Sequence, residues 1–150
     1  MDQSVNEINF SDLSKEIGEL FRLKEQPAEQ YSPLALAYIG DGVYDLIIRS
    51  MIVMKGNARA NQLHHKVSAI VKASSQAELV HKLKPILTQE ELAVYRRGRN
   101  AKSYTKAKNA SMTDYRHATG FEALVGYLYL KHRMDRILEL VKFGLEEGCE

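Results

Sequence analysis

Leu34-Ala-Leu-Ala-Tyr-Ile-Gly-Asp-Gly-Val-Tyr-Asp-Leu-Ile-Ile48 is the stretch whose reading decides the rest of the chain. Apolar residues fall on nearly every face of a 3.6-residue repeat, so the segment is expected to be a helix lying in the core on most sides. Pro33 suits its first turn, where a missing N–H costs nothing, and Lys55-Gly56-Asn57 is expected to end it. Asp41 stands in the middle, between Gly40 and Gly42. Each glycine costs about 1 kcal/mol relative to alanine in a helix interior. In exchange it permits close approach of another backbone or of a ligand. A carboxylate in such surroundings has to be paired, coordinated or protonated.

A second segment repeats the anomaly. Phe121-Glu-Ala-Leu-Val-Gly-Tyr-Leu-Tyr-Leu130 is apolar nearly all round, and Glu122 is its one charged residue. Two such acids on two core helices suggest convergence on a single cation. Hard carboxylate oxygens suit Mg²⁺, which takes one or two of them, keeps several waters and borrows phosphate oxygens from a substrate. The alternative is a buried acid paired with Arg49, Arg116 or a lysine, or hydrogen-bonded to a tyrosine hydroxyl. Asp45 shares a face with Asp41 four residues on, and is expected to reach solvent. Tyr127 and Tyr129 read as core or interface aromatics.

Outward from these segments the periodicity stays helical, with no convincing alternation. Phe10, Leu13, Ile17, Leu20 and Phe21 mark one face of an amphipathic helix from about Ser11, and Lys24 to Ser32 reads as a polar connection. Residues 58–84 read as one or two helices with Leu63, Val67, Ile70 and Val71 inward and a break near Ser74-Ser75; Pro85 interrupts. Thr88 and Glu91 form a capping-box pattern. That helix is expected to fail at Gly98, leaving a basic loop to about Met112. Two further helices are expected, from about Thr113 to His132 and from there to about Gly148. The class is all-α, one domain.

The chain has 150 residues, 45% apolar and 27% charged, enough to bury a core and to exclude wholesale disorder. Its single cysteine, Cys149, excludes a disulfide framework and a cysteine-rich zinc site. No run approaches the ~20 apolar residues of a membrane span, and no secretory signal opens the chain, so a cytoplasmic location is expected. Seven acids face three cations over residues 1–30, so the other 120 residues carry +6. No acid lies between Glu91 and Asp114, where Arg96, Arg97, Arg99, Lys102, Lys106 and Lys108 are interleaved with Tyr95, Gly98, Asn100, Ser103, Tyr104 and Thr105. Such a run can be a merely solvated surface. Guanidinium forks, hydroxyls and pliable backbone are also what phosphate oxygens demand.

The five histidines show no metal-ligand spacing. His64-His65 reads as surface or helix packing, and His117 is a weak candidate for proton transfer. No G-x-S-x-G, P-loop or G-x-G-x-x-G is present, which argues against hydrolases of the α/β type, NTPases and dinucleotide enzymes.

Leu36-Ala-Tyr-Ile-Gly-Asp-Gly-Val-Tyr-Asp-Leu46 resembles the ribonuclease III signature L-E-F-L-G-D-x-V-L-x-x. Gly98-Arg-Asn100 resembles the G-R-N that follows it, and Thr119-Gly-Phe-Glu-Ala-Leu-Val-Gly-Tyr-Leu-Tyr-Leu130 resembles the family's D-x-F-E-A-L-x-G-x-x-Y-L helix. Order and spacing agree over roughly residues 33–132. The resemblance implies a single ribonuclease III-like helical endonuclease domain over 33–148 behind an acidic extension, 1–32, with no double-stranded-RNA-binding domain: the compact bacterial branch of the family. It implies Asp41 and Glu122 as catalytic, Mg²⁺-binding residues. It also implies a homodimer cutting double-stranded RNA, the terminal stem of precursor 23S ribosomal RNA, with a ribosomal protein as a further partner to consider. Without a separate binding domain, Arg96, Arg97, Arg99, Asn100, Lys102, Lys106 and Lys108 would grip the RNA. No membrane and no nucleotide cofactor are implied. Ala37 stands where the signature has glutamate and Thr119 where the second motif has aspartate. These departures motivate a second reading, a non-catalytic helical RNA-binding or ribosome-assembly factor.

Overall fold

A nineteen-residue helix, Met112–Leu130, runs through the centre of the molecule, and every residue from Ala118 to Tyr129 except Glu122 is buried. The computed structural model describes residues 13–102 and 111–146. Among these are seven α-helices and no strand: α1 (Leu13–Leu20), α2 (Pro33–Lys55), α3 (Ala60–Val71), α4 (Ala73–Leu83), α5 (Gln89–Asn100), α6 (Met112–Leu130) and α7 (Met134–Glu146). Single 3₁₀ turns at Ala28–Gln30 and Lys84–Ile86 join α1 to α2 and α4 to α5. Helices α2, α4 and α5 pack around α6, and α7 closes the α4 side. The all-α expectation holds. No helix among the described residues is long and apolar enough to cross a membrane.

Local signals explain the element starts. The Ser32 hydroxyl accepts from the Ala35 N–H at 3.2 Å with Pro33 in the first turn, which starts α2. Thr88 and Glu91 complete both halves of the capping box on α5. The Ser111 hydroxyl accepts from the Asp114 N–H at 3.0 Å and starts α6.

Three expectations change. The break after α3 falls at Lys72, whose backbone is extended (ψ 156°), rather than at Ser74-Ser75. The polar residues beyond it cap the finished helix instead: the Ser75 hydroxyl donates to the Ala69 carbonyl and the Gln76 amide to that of Val71, both at 2.7 Å. Gly98 does not end α5, which continues to Asn100. It faces α6, where a β-carbon would come within 2.7 Å of the Ala123 β-carbon and 3.0 Å of the Gly120 α-carbon, so contact rather than helix breaking accounts for it. Finally, α2 is core on one side only. Leu36, Gly40, Val43, Tyr44 and Ile48 are buried, whereas Leu34, Tyr38, Asp41, Gly42 and Leu46 are exposed.

The crossing of α2 over α6 positions both anomalous acids. A β-carbon on Gly40 would overlap the Glu122 carbonyl, and one on Gly126 would overlap that of Leu36, so only glycine lets the two backbones meet. Gly42 has nothing within 4 Å of where its β-carbon would stand. Tyr44 of α2 packs edge-on against Phe121 of α6, ring centroids 4.9 Å apart. On the far side, the Arg136 guanidinium of α7 donates to both carboxylate oxygens of buried Glu91, at 2.8 and 2.9 Å, fastening α7 to α5.

Candidate active site

The close backbone approach at Gly40 sets Asp41, on the next residue of α2, beside Glu122 of α6. Asp41 is exposed and Glu122 half-buried. The two side chains are hydrogen-bond neighbours. Burial, then the hydrogen bond to Asp41 and its charge, push the Glu122 carboxyl up to about 9. A protein can hold two carboxylates in contact only if a proton or a cation lies between them.

The competing partners do not reach this pair. Arg49 is engaged by Asp45, at 2.6 Å and one turn along the same helix. Among the described residues, no arginine or lysine forms an ion pair with Asp41 or Glu122. No third His, Cys, Asp or Glu of the described residues completes a larger cluster. Ala37 and Thr119, at the positions where the longer signature is acidic, are both buried, and the Thr119 hydroxyl donates to the Tyr115 carbonyl at 2.9 Å. The donor set is therefore two carboxylates, that of Asp41 exposed and that of Glu122 half-buried. That set fits Mg²⁺, which keeps most of its waters and takes phosphate oxygens from its substrate.

The expected RNA-binding residues divide. Arg96, Arg97, Asn100 and Lys102 are exposed at the end of α5, and Arg99 is half-buried, its guanidinium donating to the Asn100 side chain at 3.2 Å. None of the arginines, nor Lys102, is ion-paired among the described residues. Lys106 and Lys108 lie outside the described residues.

His117 turns away from the carboxylates. It precedes Glu122 by five residues, about 140° around the helix and about 7.5 Å along it. Its Nδ1 shares a short hydrogen bond with the Tyr95 hydroxyl, and its ring lies 4.8 Å from that of His81. His64 and His65 are exposed, as expected. Tyr127 and Tyr129 are core residues, although the Tyr127 hydroxyl emerges within hydrogen-bond reach of the Glu29 and Glu90 carboxylates. Sequence reasoning passed over Lys84, which stands 5.4 Å from the centre of the Tyr95 ring. No spacing links residues 81, 84, 95 and 117; the packing of α4, α5 and α6 brings them together.

Comparison with known proteins now defines the class: residues 34–133 match the ribonuclease III domain family. The chain is 46% identical over 127 residues to Mini-ribonuclease 3 of Clostridium tetani, covering 84% of this chain and 83% of that one. It is 49% identical over 119 residues to Mini-ribonuclease 3 of Brevibacillus brevis, covering 78% and 89%. A crystal structure of a Fusobacterium nucleatum protein superposes with a TM-score of 0.71 at 27% identity, over 79% of this chain and 95% of that one. The chain belongs to the ribonuclease III family, in the branch whose members are called Mini-ribonuclease 3, and is an endoribonuclease.

Proposed function

We propose that this endoribonuclease is Mg²⁺-dependent and cuts double-stranded RNA, with residues 33–148 as its catalytic unit and Asp41 and Glu122 as the metal-holding catalytic pair. The observation that carries the reading is the contact between those two carboxylates at a crossing of glycines, with no basic side chain of the described residues neutralising either. When bound there, Mg²⁺ would supply a Lewis acid for the phosphodiester and an acidified water. The chain's own contribution is placement. Exposed Asp41 meets the phosphate side, and half-buried Glu122 is fixed by the helix that forms the core. A-form RNA hides its bases in a deep narrow groove, so the basic stretch from Arg96 to Lys108 would read backbone and shape rather than sequence.

A duplex has two strands to cut, and the outer face of α2 offers a way to supply two sites. Leu34, Tyr38, Leu46 and Val53 are exposed along it, within about 120° of one another around the helix, an apolar face of the kind that marks a protein–protein contact. We assign it to a homodimer. Membership of the branch further supports the terminal stem of precursor 23S ribosomal RNA as substrate, met in the cytoplasm, with a ribosomal protein as an additional partner.

Incubation of the purified protein with duplex RNA in Mg²⁺ or in chelator tests the reading. Discrete products are expected in Mg²⁺ alone, and Asp41→Asn is expected to abolish them while leaving duplex binding largely intact. Equal turnover by Asp41→Asn would refute the assignment. The residues at positions 37 and 119 favour the second reading, a binder without chemistry; intact, shifted duplex in both buffers would establish it.

A further inference from the structure

A second group of polar side chains meets where α4, α5 and α6 converge. Tyr95 is 1% exposed and forms a rigid floor. Lys84 Nζ lies 5.4 Å, and the Arg99 guanidinium carbon 5.7 Å, from the centre of its ring. The His117 ring is nearly coplanar with it, 9° apart, and is hydrogen-bonded to its hydroxyl; His81 packs on His117 at 4.8 Å. Three basic groups are thus held around one aromatic ring, and a fourth, His81, packs on His117 beside them. Among the described residues none of them is ion-paired to a carboxylate.

The crowding has an electrostatic cost that the fold imposes. Burial, with the charges of Arg99 and Arg96, holds the Lys84 ammonium below its usual range. Burial, with His81, Lys84 and Arg99, does the same to the His117 imidazole, Asp114 acting weakly the other way. Like charges assembled without a counter-ion repel, and an arriving anion relieves that repulsion. Exposed Arg96 of α5 adds its charge to the group, and under the proposed function the anion that reaches α5 is the RNA backbone.

We propose that His81, Lys84, Arg99 and His117, arranged around Tyr95, form a cradle for one backbone phosphodiester of the RNA, separate from the phosphate that is cut. The identity of the ligand rests on the nuclease reading above; the site itself rests on the clustering. The offset between His117 and Glu122, about 7.5 Å along α6 and on another face, makes it a positioning contact. Its donors are an ammonium, a guanidinium and two imidazoles, that of His117 through Nε2 because its Nδ1 is engaged by the Tyr95 hydroxyl.

Binding of a fully paired RNA duplex, measured in chelator so that no cleavage intervenes, tests the cradle. Lys84→Gln is expected to weaken binding by about tenfold at low salt. The slope of log affinity against log salt should become shallower by about 0.9, the value for one phosphate contact on B-DNA. Lys84→Arg should restore both. His81→Gln/His117→Gln should likewise bind more weakly than the parent, having lost two imidazole donors. Parent-like affinity and slope in Lys84→Gln would overturn the proposal, and so would parent-like affinity in the double-histidine variant. Thermal melting of each variant separates lost contact from lost fold. Cleavage by the parent and by Asp41→Asn is read separately, so either claim can fail alone.

Discussion

Gly40 of α2 and Gly126 of α6 face each other so closely that a β-carbon on Gly40 would come within 2.7 Å of the Gly126 amide nitrogen. This contact sets the distance between the two helices that carry Asp41 and Glu122. Gly40→Ala is therefore expected to force the helices apart, destabilising the fold by about 2 kcal/mol or more and abolishing cleavage with it. Gly42→Ala meets open space and should gain about 0.5–1 kcal/mol from helix propensity. Chemical denaturation of the two variants checks both signs; equal effects would mean that the crossing does not depend on Gly40.

The metal-free protein should lose stability as alkali is added, and Glu122 should be a cause. Its folded-state pKa is raised, from 4.5 to about 9, by burial and by Asp41. The native state thus holds a proton that the unfolded chain releases. Its stabilising contribution is complete below about 4.5 and is lost as pH rises through about 9. Glu122→Gln should flatten the pH–stability curve across that window. A parent curve with the same slope as the variant would show that neither burial nor Asp41 raises the Glu122 carboxyl.

Arg136 and Glu91 form the best-buried ion pair among the described residues, side chains 15% and 6% exposed. Burial alone would raise the Glu91 carboxyl, but the Arg136 guanidinium and the Thr88 N–H outweigh it, so its pKa is lowered. Its contribution is present above the unfolded value of 4.5 and disappears as pH falls through the lower folded value. Arg136→Ala leaves an uncompensated carboxylate and should cost about 3–5 kcal/mol at neutral pH, less in acid. Thermal melts of parent and variant at the two pH values measure the difference.

Tyr38 is the test of the outer face of α2. It is 84% exposed and shares a face of α2 with exposed Leu34, Leu46 and Val53. Tyr38→Glu places a charge there without touching the core, so secondary structure should persist while a homodimer dissociates. Sedimentation of the parent as a monomer, or of the variant as a dimer, would remove that face from the interface.

Much of this was legible in the chain itself. The cap at Thr88 and Glu91, the start at Pro33 and the apolar runs of α2 and α6 are local or periodic signals, and each element appears where its signal lies. Asp41 and Glu122 stood out because a charge is conspicuous in an apolar run. Gly98, and the break expected near Ser74-Ser75 that falls at Lys72, were misjudged for the opposite reason. Whether a glycine ends a helix or lets another helix approach depends on a neighbour distant in sequence, here Gly120 and Ala123. Asp41, expected in the core, is exposed because α2 buries only the side that meets α6.

By itself the sequence determined an all-helical chain with two acids out of place and a basic stretch free of carboxylates, since capping and hydrophobic period act over a few residues. Only the tertiary structure decided that Asp41 touches Glu122, that Arg49 is engaged by Asp45 instead, and that Lys84, Tyr95, Arg99 and His117 share one spot. Those contacts depend on how closely two helices can cross and at what rotation, and that is set by side chains scattered along the whole chain.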